Sequence, residues 1–266
     1  EDGIRDVERS RGLGDVYKRQ LSNPSEQTVM GRLNKTIFGE FFPKATTLVP
    51  SKTIYQELLT KYSRKNIGLF HVPVPVDLTI YDEKKISQER TISLATQWGM
   101  LEKPRHIIFA KAYFDSNKWQ NLIIKLSVNL EKLPENIRPY IVVLKSNANK
   151  RQLNEFEEKY LKNRNSVLCL MDHITDLEAG LKLSSIYLEL NPQNQYYSLD
   201  ILNALAMGNA VVSWENDVNK ELLPSEYHNY LTGNGDIKKL IPTLTNLLQM
   251  NAQERNFTGR TSRNYV

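Results

Sequence analysis

Gln195-Tyr-Tyr-Ser-Leu-Asp-Ile-Leu-Asn203-Ala-Leu-Ala-Met-Gly208-Asn-Ala-Val-Val212 is the stretch whose reading decides the fold. Its first half predicts a helix over 197–206 with Ser198 as N-cap, because a serine hydroxyl can accept from the unpaired amides of a first turn. Gly208 follows where a helix commonly ends on a left-handed residue, a conformation glycine adopts without a Cβ clash. Directly after it, Ala210-Val-Val-Ser213 is a short apolar run of strand type. The segment reads as a helix returning into a buried strand.

The same alternation extends to both sides. Apolar runs at His106–Ala110, Tyr140–Leu144, Ser166–Leu170, Ser185–Leu190 and Ala210–Ser213 are separated by helical patterns near 117–132, 151–162, 175–183, 197–206 and 235–249. Asn117 and Thr175 are further N-cap candidates. Strands this apolar on both faces belong to a parallel sheet covered on both sides. The prediction is an α/β fold, a Rossmann-like doubly wound parallel sheet. Upstream, Ala45–Val49 and Asn66–Phe70 flank a helical pattern at 51–64, one more strand–helix–strand unit. The prolines of Val72-Pro-Val-Pro-Val76 then break the pattern, since each removes a backbone donor and fixes φ.

Composition narrows the chemistry. The chain has 266 residues and a net charge of +5, with basic and acidic residues interspersed as on a solvated surface, so no nucleic-acid partner is indicated. No apolar stretch approaches the roughly 18 residues of a membrane span, and no secretory segment is visible. The single cysteine, Cys169, lies within Val167-Leu-Cys-Leu-Met171 and reads as a buried core thiol. A cytoplasmic location is the expectation. His71, His106, His173 and His228 are dispersed without ligand spacing, so no metal is expected. No phosphate loop, dinucleotide fingerprint or nucleophile elbow occurs, and no cofactor is expected.

The segment 195–212 resembles the signature of family-4 glycosyltransferases, which reads roughly E-G-F-G-L-x-x-x-E-A-M-A-x-G-x-P-V-V. Leu199, Ala204, Ala206, Gly208, Val211 and Val212 match it without a gap, while its two glutamates fall on Gln195 and Asn203. The resemblance implies the GT-B fold, in which two Rossmann-like domains face each other. It further implies that the residue at 195 meets the donor sugar and the residue at 203 the ribose. Tyr197, Ser198 and Leu199 would then supply the helix terminus that receives the diphosphate, through backbone amides that need no particular side chain. The loop after the strand at 106–110 is similar to the family's G-R-L-x-x-x-K-G, with Lys111 and Lys118 at its two cations, although Ala110 and Trp119 replace its glycines and the spacing is two residues longer. Met171 stands where the family has a glycine near the base. Glu189 reads as lying inward or sideways on its strand and Asp200 as facing away from Asn203, so neither is an evident substitute carboxylate. His71-Val-Pro-Val-Pro-Val-Asp77 resembles the family's bridge between domains. The expected division is therefore 21–76 as the tail of the N-terminal GT-B domain and 77–266 as a C-terminal, nucleotide-sugar-binding-like domain. Residues 1–20 resemble, around Asp15-Val-Tyr-Lys-Arg-Gln20, the translation of a sequencing-library tag, which would make the chain a fragment.

Ser184-Ser-Ile-Tyr-Leu-Glu-Leu-Asn191 sharpens the likeness. It is similar to a segment of bacterial glycosyltransferase-like proteins that include the stabilising subunit of the O-GlcNAc transferase for serine-rich adhesins, part of the accessory Sec system. That resemblance implies a non-catalytic subunit which stabilises a catalytic glycosyltransferase partner and helps bind a Ser-rich protein acceptor for O-glycosylation. Loss of both motif glutamates points the same way. Two alternatives stay open: an active retaining glycosyltransferase using a UDP-sugar donor, and a nucleotide-binding or structural Rossmann-like module.

Overall fold

The computed structural model describes residues 46–62, 68–100, 106–113, 117–146, 156, 158, 167–190 and 197–266. The chain divides into two compact units, Glu1–Val49 with Tyr55–Val72, and Pro50–Ile54 with Pro73–Val266.

In the smaller unit, β1 (Thr46–Val49) and β2 (Gly68–His71) pair in parallel, with Leu48 opposite Phe70. Helix α1 (Lys52–Tyr62) connects them, its first residues belonging to the larger unit. Alternation along the strands buries Val49 and Leu69 and exposes Leu48 and Phe70.

The larger unit opens with a 3-10 turn (Glu83–Lys85) and helix α2 (Gln88–Gln97). Strand β3 (Ile107–Tyr113), helix α3 (Asn117–Glu131), β4 (Tyr140–Ser146) and β5 (Leu168–Met171) form its first half. The second half runs α4 (Leu177–Leu183), β6 (Ile186–Leu190), α5 (Leu199–Ala206), β7 (Ala210–Trp214), α6 (Asp217–Leu222) and β8 (Leu231–Thr232). Helices α7 (Ile237–Gln249) and α8 (Ala252–Tyr265) follow. The six strands are all parallel, in the order β5-β4-β3-β6-β7-β8. This is the doubly wound order: the chain builds outward from β3 on one side, then crosses back to β6 and builds the other.

Every residue of β6 and β7 is buried, as a sheet covered on both faces requires. On one face Leu126 and Leu130 of α3 and Leu244 of α7 pack with Val143, Leu188 and Val212, and Trp119 lies 6.1 Å from Trp214 between ring centroids. On the other, Trp98 stacks on Phe109 at 6.1 Å and Phe109 meets Tyr187 at 6.0 Å. Each fully buried aliphatic or aromatic side chain contributes about 1.5–3 kcal/mol of transfer free energy.

The expected helix–glycine–strand unit is present. Ser198 is the N-cap of α5. Gly208 adopts φ +77°, and the last turn closes through Gly208 N–H to Leu205 O and Asn209 N–H to Ala204 O, both 2.9 Å. That is the bonding of a Schellman cap. Two local readings are corrected. The N-cap of α4 is Asp176 rather than Thr175, because the Asp176 carboxylate accepts from Ala179 N–H at 2.9 Å. Cys169 is half-buried, since β5 is the edge strand of the sheet and all four of its residues are partly exposed. Burial still raises its thiol above the ordinary range. Most of the helix expected at 151–162, and the segment 1–20, lie outside the described residues.

Helix α8 was not signalled by apolar periodicity. It is fastened by polar bonds instead. Tyr227 OH donates to Thr258 O at 2.6 Å and lies 2.5 Å from Ser262 Oγ, while Ser262 Oγ donates to Asn209 O at 2.9 Å. Arg263 Nη1 donates to Ala206 O at 2.6 Å and Tyr81 O at 2.9 Å.

Candidate functional site

Where a doubly wound sheet reverses direction, the two neighbouring strands send their chains to opposite sides and leave a crevice beyond their carboxyl ends. Here those strands are β3 and β6. In the second half of each, Lys111 and Glu189 are direct Cα partners. Helix α5 begins a few residues beyond β6 and brings Ser198 and Asp200 to the same place.

Glu189 is 1% exposed. Its Oε2 accepts from Tyr187 OH and from Ser198 Oγ, each at 2.9 Å, and its Oε1 has no partner among the described residues. Burial pushes the carboxyl up to about 7, opposed by the positive charge of Lys111 and reinforced by the negative charge of Asp200. Behind it, Ser213 Oγ donates to the Glu189 carbonyl at 3.2 Å, and Asn219 Nδ2 donates to Ser213 Oγ at 2.9 Å and to Trp214 O at 2.8 Å. The strand ends are thus fixed by hydrogen bonds on the buried side.

Lys111 Nζ forms an ion pair with Asp200 Oδ2, both side chains being largely buried. Asp200 stands in the first turn of α5, where a carboxylate is stabilised by the helix dipole and the unpaired amides. Ser198, although it is the N-cap, makes no side-chain cap bond, because its hydroxyl is committed to Glu189. One short region therefore holds a lysine, a carboxylate, a buried carboxyl and a helix N-terminus.

The Asn203 side chain lies beside the hydroxyl of Tyr81, a half-buried residue of the loop before α2. Burial raises the Tyr81 phenol, as do the charges of Glu178 and Asp200, against the lowering effect of the polar Asn203 side chain. Asp200 and Asn203 consequently share a face of α5, as residues three apart do; the reading that they face apart is corrected. Arg90 of α2 closes the neighbouring wall, donating to Asp176 from Nε and Nη2 at 2.7 Å each and to Glu178 at 2.8 Å.

The other singled-out residues have different surroundings. The Tyr197 phenol is raised by burial and by the neighbouring Glu221 and Tyr265, and it is hydrogen-bonded by the backbone of Val74. Leu199 is the half-buried first residue of α5 and offers its amide. Lys118 is exposed, with its ammonium 4.9 Å from the Trp119 ring centroid. Met171 ends β5 with its sulfur 3.7 Å from that of Cys169. Gln195 lies outside the described residues. Asp200 and Tyr81 are the members the sequence reading missed, along with the participation of Glu189. The available signal was charge inside apolar runs, Lys111 in Ile-Ile-Phe-Ala-Lys and Glu189 in Ile-Tyr-Leu-Glu-Leu, which a parallel sheet sets side by side.

This topology is shared with solved structures. HepE of Anabaena, in complex with UDP and glucose, matches with a TM-score of 0.69 and 13% identity over 88% of this chain and 61% of HepE. The fold is that of GT-B glycosyltransferases. A mutant of S. aureus TarM, in complex with fondaparinux, alpha-GlcNAc-glycerol and UDP, matches at a TM-score of 0.65 and 14% identity, over 91% of this chain and 45% of TarM. The C-terminal domain of LpcC, a glycosyl transferase group 1 family protein of Francisella tularensis, matches at 0.54 and 18% identity over 71% of this chain and 95% of that domain. The chain thus spans less than two thirds of HepE and of TarM. No protein-family model matches the sequence, and no curated protein matches it. Among the described residues no group of His, Cys, Asp and Glu could hold a metal ion, and no helix is long and apolar enough to cross a membrane.

Proposed function

We propose that the chain is a non-catalytic, glycosyltransferase-like subunit that stabilises a catalytic glycosyltransferase partner and helps bind a Ser-rich protein acceptor for O-glycosylation. The observation that carries this reading is the internal engagement of the donor-site positions. Lys111, at the position of a phosphate-neutralising cation, is paired with Asp200. Asn203, at the position of the ribose carboxylate, has the Tyr81 phenol beside it. The Ser198 hydroxyl is held by Glu189. A UDP-sugar entering the crevice would have to displace the Lys111–Asp200 ion pair while bringing a diphosphate towards Asp200, a like-charge approach in a partly dry site. The partner and acceptor classes rest on the likeness of 184–191 and 195–212 to the stabilising subunits. Division of the chain into the tail of a first domain and a C-terminal domain belongs to the same proposal.

The alternative of an active retaining transferase draws on one feature, the buried Glu189 carboxyl, whose Oε1 has no partner among the described residues. Calorimetric titration of UDP-N-acetylglucosamine and UDP into the 266-residue chain separates the two. No heat at millimolar ligand, from protein that melts cooperatively, is the expected result. A dissociation constant of about 100 μM or tighter, some 5.5 kcal/mol, overturns the subunit reading and restores the enzyme.

A further inference from the structure

The N-terminus of α5 has the makings of an anion site: first-turn amides that receive no cap from the Ser198 side chain, a dipole whose positive end lies at the switch point, and the ammonium of Lys111 nearby. What fills that position is part of the protein. We propose that Asp200 is a built-in anion that takes the place of a ligand's phosphate, so that the crevice is closed to nucleoside diphosphates by its own helix. The inference rests on the reading of this crevice as a lapsed donor site, and it names the residue that makes it so.

Three observations converge. Asp200 carries the ion pair to Lys111, which removes the cation a phosphate would need. The N-cap side chain leaves the first-turn amides uncapped, because Ser198 donates to Glu189 instead. Glu189, 1% exposed, keeps Oε1 without a partner among the described residues, an atom that as carboxylic acid can donate to an anion. Replacing the Asp200 carboxylate by a neutral group of similar size would remove the first-turn negative charge from beside these amides, ammonium and acid. Asparagine at 200 retains the shape, and serine there is compatible with a first helical turn.

The test is calorimetric titration of inorganic pyrophosphate and of UDP into the 266-residue chain and into its Asp200→Asn, Asp200→Ser and Asp200→Glu variants. Pyrophosphate and UDP are expected to bind Asp200→Asn at least about tenfold tighter than the parent, equivalent to about 1.4 kcal/mol. Asp200→Glu should behave as the parent does, and Lys111→Met added to Asp200→Asn should cancel the gain. Should Asp200→Asn fail to melt cooperatively, Asp200→Ser carries the same comparison. A parent that already binds pyrophosphate as tightly as the variants overturns the inference, as do folded variants that gain nothing. The two proposals fail differently. Tight UDP binding by the parent overturns the subunit reading as well, whereas a silent parent with silent variants overturns only the role of Asp200.

Discussion

The backbones of Gly208 and Gly259 meet without a side chain between them: a Cβ built on Gly259 would lie 3.1 Å from Gly208 O, and one built on Gly208 would lie 3.4 Å from Gly259 O. This contact lets α8 cross the end of α5 closely enough for Ser262 to reach Asn209 O. Gly208→Ala meets both the contact and the left-handed φ of +77°, which costs a non-glycine residue about 1–2 kcal/mol. Gly259→Ala gains about 1 kcal/mol of helix propensity but must push a carbonyl aside, at about 1–3 kcal/mol for overpacking. We expect Gly208→Ala to lower stability by about 2 kcal/mol and Gly259→Ala by about 1 kcal/mol, both read from urea denaturation. A Gly208→Ala variant as stable as the parent would show that the crossing is not tight.

Glu189 sets a pH dependence of stability. Its carboxyl titrates near 4.5 when unfolded and is pushed up to about 7 in the fold, burial being the main cause. Between these values the folded state binds a proton that the unfolded state has released. Its contribution is therefore complete below pH 4.5 and is lost as pH rises through 7. The change amounts to about 3 kcal/mol at most. Glu189→Gln should flatten this part of the curve, measured as unfolding free energy from pH 5 to 8. An unaltered slope in that variant would assign the effect to another group.

Helix α1 begins on a carboxylate from α6. Glu221 accepts from Ser51 Oγ at 2.8 Å, Lys52 N–H at 2.5 Å and Thr53 N–H at 3.0 Å. Burial opposes its ionisation, but the Thr53 and Lys52 amides and the Ser51 and Thr53 hydroxyls together hold it below the usual glutamate range. The sign is opposite to that of Glu189: this stability is present above pH 4.5 and is lost as the solution is acidified through the lowered value. Glu221→Ala removes a cap worth about 0.5–2 kcal/mol. Faster hydrogen exchange at the Lys52 and Thr53 amides is the expected sign, and unchanged protection there would count against the cap.

Tyr227→Phe should loosen α8. Its hydroxyl bridges Thr258 O and Ser262 Oγ, and its phenol is pushed up to about 12, burial again leading. Removing one member of a buried network costs about 1–3 kcal/mol. Limited proteolysis should cut the C-terminal segment of the variant sooner than that of the parent, and equal rates would refute the tether.

How much was legible followed from the physics of each element. The strands β3, β4, β6 and β7 announced themselves because full burial on both faces demands continuous apolar runs, and Ile141, Val142 and Val143 leave no other reading. Ser198 and Gly208 marked their helix because capping chemistry is local. Helix α8 escaped because it packs through Gly259, Thr258 and Ser262 rather than through leucines, so its sequence lacks an apolar stripe. The pairing of Lys111 with Asp200, and the proximity of Tyr81 to Asn203, join residues 89 and 122 positions apart. Only the strand order brings them together, and charge patterns along the chain do not encode strand order.

The central pairing of the sheet joins Ile108 to Ile186. No hairpin can form it, and a parallel pair so distant in sequence must close a long loop before any bond rewards it. Half of this sheet can be synthesised while β3 still exposes the edge meant for β6, an invitation to mispairing between chains. Folding of this protein is therefore expected to be slow and concentration-sensitive until residues 186–190 have emerged, which makes the arrival of β6 the committing event in its biogenesis.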